Sequence, residues 1–181
     1  MKLQLFALLA LYVLVFFDTS TSYGQTIMPG TSVDEVVLVG YSRSLEQEGW
    51  SCVSSKFKGK EGEWINRTLE YRFKWINETV RFDQDESSKI SIRVSSDVLE
   101  VGKETWFRRY TGGNTMYQIR YYDNVSLILS NCIDGVNVLQ PCSFWVKKQY
   151  LNNITQLAKA NFTELCNETQ FVGYEPEACK P

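Results

Sequence analysis

Five cysteines, Cys52, Cys132, Cys142, Cys166 and Cys179, carry more covalent chemistry than any other residue type in this chain. In an oxidising compartment an odd count leaves two bridges and one spare thiol, and spacing alone does not assign the partners. Histidine is absent. With it go Ser-His-Asp and Cys-His hydrolysis, imidazole proton shuttles and the usual zinc sites, which need a group that titrates or ligates near neutrality. Carboxylate pairs stand at Asp83/Asp85 and Glu61/Glu63, but such pairs arise in any charged loop. Thr111-Gly-Gly-Asn114 is too short for a phosphate loop and has no helix after it. These residues point away from an enzyme, with no cofactor and no metal implied.

The start of the chain places it outside the cell. One basic residue, Lys2, precedes an apolar run from Leu3 to Phe17, and small and polar residues follow to Gly24. That is the pattern of a cleaved secretory signal over 1–24, too short for a membrane span, leaving one domain from 25 to 181. Six Asn-X-Ser/Thr sequons, at Asn66, Asn77, Asn124, Asn153, Asn161 and Asn167, agree with secretion. A formal net charge of −2 gives no footprint for nucleic acid or an acidic membrane. Lys56, Lys58 and Lys60 read as a solvated hairpin rim.

The elements that must position a site are short strands ending in turn signals. Strands are expected over Glu35–Ser42, Ser51–Phe57, Glu63–Ile76, Lys89–Val94, Glu104–Tyr110, Thr115–Tyr122, Val125–Ser130 and Cys142–Gln149. Turns are expected at Gly59-Lys-Glu-Gly62, Thr111-Gly-Gly-Asn114 and Asp123-Asn124. From 65 to 75 the odd positions are Ile65, Arg67, Leu69, Tyr71, Phe73 and Trp75, and the even ones are polar, so the odd set faces inward. The period then changes. Ile154, Leu157, Ala158, Phe162 and Leu165 recur as one face of a helix, with Asn153 placed to cap it. Eight antiparallel strands followed by one helix imply an all-β barrel with the helix packed outside, and a β-sandwich is the alternative.

Gly40-Tyr-Ser-Arg-Ser44, Trp50-Ser-Cys-Val53, Glu63-Trp-Ile-Asn-Arg-Thr-Leu-Glu-Tyr-Arg-Phe73, Ile119-Arg-Tyr-Tyr-Asp-Asn124 and Cys142-Ser-Phe-Trp-Val146 resemble the tick salivary lipocalins over nearly the whole mature chain. The resemblance implies an eight-stranded barrel with a C-terminal helix. It also implies disulfides Cys52–Cys179 and Cys142–Cys166, with Cys132 left as a free thiol able to link two chains. Amine-binding relatives carry a further bridge near Val125 and Ala158 and an acidic residue at the position of Ser143. This chain lacks both, which disfavours a buried amine cation.

If Cys142 faces the helix, Phe144 lies beneath it while Ser143 and Trp145 point into the barrel. The expected lining is Phe57, Leu69, Tyr71, Phe73, Ile92, Trp106, Tyr117, Ile119, Tyr121, Leu127 and Trp145. The resemblance implies a secreted salivary protein that holds a small apolar ligand, cholesterol or a related lipid. It further implies modulation of host immune cells such as dendritic cells through a cell-surface protein. Two alternatives stand beside it: a scavenger of a leukotriene, fatty acid or biogenic amine, and a ligand-free structural or receptor-binding glycoprotein.

The sequons give a first test. Asn161 falls among Ile154, Ala158 and Leu165 at 100° per residue, on the face expected to pack. Site-resolved glycopeptide mapping is expected to find Asn66, Asn77, Asn124, Asn153 and Asn167 available to glycan and Asn161 largely bare. Full occupancy at Asn161 would contradict the helix assignment.

Overall fold

The computed structural model describes residues 27–76, 81–102, 114–132 and 139–179, apart from the side chains at 75, 76, 81 and 82. The expected leader, the strand expected over Glu104–Tyr110 and most of the turn at 111–114 lie outside these residues. The strands are β1 (Val36–Ser42), β2 (Trp50–Glu61), β3 (Trp64–Ile76), β4 (Arg81–Ser95), β5 (Val98–Val101), β6 (Met116–Tyr122), β7 (Ser126–Asn131), β8 (Cys142–Lys147) and β9 (Thr169–Phe171). They run antiparallel in the order β2-β3-β4-β5-β6-β7-β8-β1-β9, and β1 also pairs with β2. That second pairing closes β1 to β8 into an eight-stranded barrel, with β9 added to the end of β1.

Several boundaries differ from the sequence expectation for reasons of pairing. β4 begins at Arg81, not Lys89, because each residue from Arg81 to Ser88 sits opposite a residue of β3 between Leu69 and Ile76. A long partner strand carries a polar segment whose own β propensity is weak. β5, Val98–Val101, is a strand the sequence reading did not place. β2 runs through the expected turn to Glu61, with a bulge between Phe57 and Gly59. The reversal is left to Gly62, whose φ of +59° favours glycine.

The helix α1 spans Gln156–Leu165 and is capped by Thr155, whose side chain accepts from the Ala158 N–H at 3.1 Å. Asn153, the expected cap, instead ends the 3-10 segment Lys148–Asn153 that follows β8. Ala158 and Phe162 are fully buried against Val37, Val39, Ile128, Phe144 and Val146 on the barrel's outer wall. Phe162 approaches the backbone at Gly40 so closely that a Cβ there would stand 2.8 Å from its ring. Leu157, expected on this face, is 64% exposed. The packed face is centred on Ala158, Phe162 and Leu165, and at 100° per residue Leu157 lies beyond its edge, while Asn161 at that edge is half-buried.

Tyr121 also differs. It was expected inside, but it packs with the helix-facing cluster. The register of β6 on β7 shifts between Ile119 and Tyr121, so Ile119 pairs with inward Leu129 while Tyr121 pairs with outward Ile128. One extra residue in a strand reverses the alternation beyond it.

The other core fills the barrel. Met28, Ile65, Leu69, Ile90, Ile92, Leu99, Val101, Leu127 and Leu129 are buried together there. One end is sealed by the segment before β1, where Met28 is 6% exposed and Gly30 lies against Leu127 and Leu99. Arg67, 2% exposed, holds that segment. Its Nε donates to Ser55 Oγ at 3.0 Å, Nη1 to the carbonyls of Gly30 and Ser32 at 3.3 and 2.6 Å, and Nη2 to those of Asp34 and Ser55 at 2.8 and 2.9 Å. Burial brings the guanidinium down to about 10, opposed by Asp34, so it stays charged at neutral pH. Lys147, 8% exposed, pairs with Asp34 at 3.0 Å and adds to the same knot.

Two predictions follow from this packing. Arg67→Met leaves the carbonyls of Gly30, Ser32, Asp34 and Ser55 without their donor, and is expected to destabilise by about 3 kcal/mol. Urea denaturation should show a lower midpoint at unchanged slope, with Arg67→Lys intermediate. Tyr121 gives a pH test. Burial, and its O–H donated to Asp123 Oδ2 at 2.8 Å, push its phenol from 10.0 up to about 12. A raised folded pKa contributes stability that is present below pH 10.0 and lost as pH rises through about 12. Thermal melts across that window should fall more steeply for the wild type than for Tyr121→Phe.

Candidate functional site

The inner wall of the barrel is built from alternate residues of its strands. Leu69, Ile92 and Leu127 are 8%, 4% and 3% exposed and belong to the buried interior. Phe57, Tyr117, Ile119 and Trp145 are half-buried and pack against it. Tyr71 and Phe73 continue the face of Leu69 along β3, farther from the sealed end, and both are half-buried. Trp106 lies outside the described residues. Of the eleven expected lining residues, nine therefore share the inner face, and Tyr121 is the one moved outside by the β6 bulge.

The sequence reading missed Met28, Ile90, Leu99, Val101 and Leu129, which the structure adds to the interior. Ile90 and Leu129 could have been found by extending the alternation of Ile92 and Leu127 by one step. Leu99 and Val101 sit on the strand that was not foreseen, and Met28 precedes the first one. Arg67 carried a legible signal, a charge on the otherwise apolar face of an alternating strand.

Polar groups on the inner face gather away from the sealed end. Trp50 stacks on Tyr71, ring centroids 4.0 Å apart and 4° from parallel, which fixes the phenol ring. The Tyr71 hydroxyl is engaged by Ser88, which is 2% exposed. Glu86 lies directly opposite Tyr71 across the β3–β4 ladder. Burial first, and then the charge of Glu86, raise the Tyr71 pKa. On β8 the Trp145 Nε1–H donates to Ser143 Oγ at 2.9 Å. Tyr117 accepts from the Asn114 N–H at 2.9 Å, and burial raises its phenol too. This arrangement gives the inner face an apolar part at the sealed end and hydroxyl and carboxylate groups farther along.

Two disulfides frame the barrel. Cys52 bonds to Cys179 and Cys142 to Cys166. The first closes a loop of 127 residues, worth about 4–5 kcal/mol in the chain-entropy account. The second clips the end of α1 to β8 from outside, since Cys142, Phe144 and Val146 face the helix while Ser143 and Trp145 face in. Cys132 is free and exposed, and partial burial and then Asp97 push its thiol up. Among the sequon asparagines, Asn124 and Asn153 are exposed, Asn66 and Asn167 are half-buried, and Asn77 lies outside the described residues. Among the described residues no helix is long and apolar enough to cross a membrane.

No family model matches the chain. Two curated proteins are similar to it throughout. Japanin from Rhipicephalus appendiculatus is 27% identical over 175 residues, 94% of each chain. Japanin-like-RS from Rhipicephalus sanguineus is 26% identical over 181 residues, the full length of both. Among solved structures, Japanin bound to cholesterol in an orthorhombic crystal form superposes with a TM-score of 0.74 at 25% identity, covering 83% of this chain and 99% of that one. The closed eight-stranded antiparallel barrel with one helix after it matches the fold of Japanin, and the chain is a homologue of Japanin and the Japanin-like tick proteins, with the lipocalin fold of Japanin.

Proposed function

We propose that this protein is a secreted salivary lipocalin that carries one small uncharged apolar ligand, cholesterol or a related lipid, in its barrel. It modulates host immune cells such as dendritic cells through its outer surface. The observation that carries the ligand reading is the inner wall. Leu69, Ile92, Leu99, Leu127 and Leu129 present hydrocarbon, Trp145 and Phe57 add aromatic area, and the relative solved with cholesterol shares this fold. Apolar area removed from water contributes roughly 25 cal/mol per Å² and needs no partner charge. Ser143 offers a hydroxyl, already engaged with Trp145, in place of an acid.

Secretion rests on the leader-like start of the sequence, and the effect on immune cells on the likeness to the tick salivary lipocalins. Neither depends on chemistry inside the barrel. A disulfide-linked dimer through exposed Cys132 is compatible with its position, away from both bridges.

Native mass spectrometry of protein secreted from eukaryotic cells tests the ligand. A retained sterol or lipid, exchangeable for added cholesterol after delipidation, is the expected result. Submicromolar histamine binding with no uptake of sterol or fatty acid would reverse the reading. An empty barrel that takes up none of these would leave a structural or receptor-binding glycoprotein.

A further inference from the structure

A cleft of about 460 Å³ lies outside the barrel wall, between the segment that leads into α1 and the segment that follows β9. Its origin is local. The 3-10 segment Lys148–Asn153 is kinked at Tyr150, whose φ of −109° and ψ of 15° are not helical, so the chain bends before α1 begins. On the other side β9 is tied to β1, and the Val172 N–H donates to the Val39 carbonyl at 2.9 Å. Val39, 5% exposed, lines the cleft from the barrel wall, with Leu151 and Ile154 from the first segment and Phe171 and Tyr174 from the second. Phe171 meets Phe162 and Phe144 edge-on, at 5.4 and 6.2 Å between ring centroids, yet stays 52% exposed. Its aromatic surface is held in place and left open. Size and lining are those of a small-molecule site, mostly apolar with a few polar groups.

Charge decides what kind of molecule fits. The charged residues that line the cleft are Lys148 and Lys159, and no carboxylate lines it. Lys148 is already matched, because its Nζ donates to both carboxylate oxygens of Glu35 at 3.1 and 3.2 Å and stands 5.7 Å from the Tyr174 ring. Lys159 is not. It is half-buried on α1 beside Ala158, and among the described residues its ammonium has no ion-pair or hydrogen-bond partner. The first turn of α1 carries no acid either, so the positive end of the helix adds to the same sign.

We propose that this cleft binds a free small molecule with an aromatic, apolar body and one carboxylate or sulfonate group. The body lies against Val39, Ile154 and Phe171, where ring contacts add to area burial. The anionic group accepts from Lys159. A hydrocarbon gains only the burial, and a small polar anion only the charge-assisted hydrogen bond. The site stands outside the barrel and does not rest on the carrier reading.

The probe is 1-anilinonaphthalene-8-sulfonate, whose fluorescence on the full chain secreted from eukaryotic cells reads binding, with and without excess cholesterol. One site is expected, indifferent to cholesterol. With cholesterol present, N-phenyl-1-naphthylamine, the same ring system without the sulfonate, is expected to bind about tenfold more weakly, the weight of one hydrogen bond to a charged group. Lys159→Gln should lose that same factor for the sulfonate and leave the amine unchanged, which also reports that the variant is folded. Gly173 also lines the cleft, and a Cβ there would meet nothing nearer than Glu175 Cγ at 3.9 Å. Gly173→Leu therefore fills the recess without straining the wall, and is expected to abolish sulfonate binding at an unchanged thermal melt. No binding by the wild type, or equal binding by the wild type and both variants, would overturn the proposal. So would loss of the probe on adding cholesterol, which would assign it to the sterol's site. Binding that appears only after enzymatic removal of a glycan at exposed Asn153 would make that glycan the occupant, and would overturn it too.

Discussion

A cation buried inside a barrel must find an acceptor for every donor, and the rest of this fold is arranged around that demand. Arg67 cannot give up its proton at neutral pH and cannot reach water. Its five N–H groups are satisfied only when the segment through Gly30, Ser32 and Asp34 crosses the barrel end and Ser55 of β2 lies alongside. One side chain therefore joins β2, β3 and the segment ahead of β1. These are the pieces that must meet for the sheet to close, because the β1–β2 pairing begins at Val36, two residues beyond Asp34. Buried polar networks of this kind are costly when incomplete and specifying when complete. A sealed end follows from it.

The outer packing adds a second core outside the barrel wall. Helix α1 does not fill the barrel but covers it, with Phe162 and Ala158 burying Phe144, Val37 and Ile128 from outside. Phe144 and Phe162, ring centroids 5.1 Å apart, anchor that contact, and the Cys142–Cys166 bridge holds the helix end to the same strand. Stability drawn from the outer wall lowers the demand on the inner one. Half-buried aromatic side chains such as Phe57, Tyr117 and Trp145 are tolerable inside because the helix core and two disulfides already hold the strands.

How much of this was legible depended on whether a local rule or a partner decided the outcome. The β3 alternation from Ile65 to Phe73 was read correctly because each side chain answers only to its own strand. β8 was readable for the same reason. β4 was not, since Asp83, Gln84, Asp85 and Glu86 carry no strand signal and extend only because β3 is there to pair with them. Tyr121 was assigned to the wrong face because a bulge is set by the register against β7. Leu157 failed differently. Helical period gives a set of apolar residues but not the centre of the contact, which the small residues Ala158 and Gly40 decide by allowing Phe162 to approach. Inward placement suffered least, because alternation and burial agree wherever no bulge intervenes.

The placement of charge on the inner face bears on which groups could be buried there. Glu86 is a carboxylate on the inner face, and it stands at the level of Tyr71, above the hydrocarbon part of the wall. A small cation held there would keep one flank toward the apolar part of the inner face. A cation carried deeper would meet Arg67, a like charge whose donors are all directed away. Burial of an unpaired charge costs several kcal/mol even after the protein relaxes. The arrangement that closes the barrel thus also makes its sealed end unsuited to a buried cation.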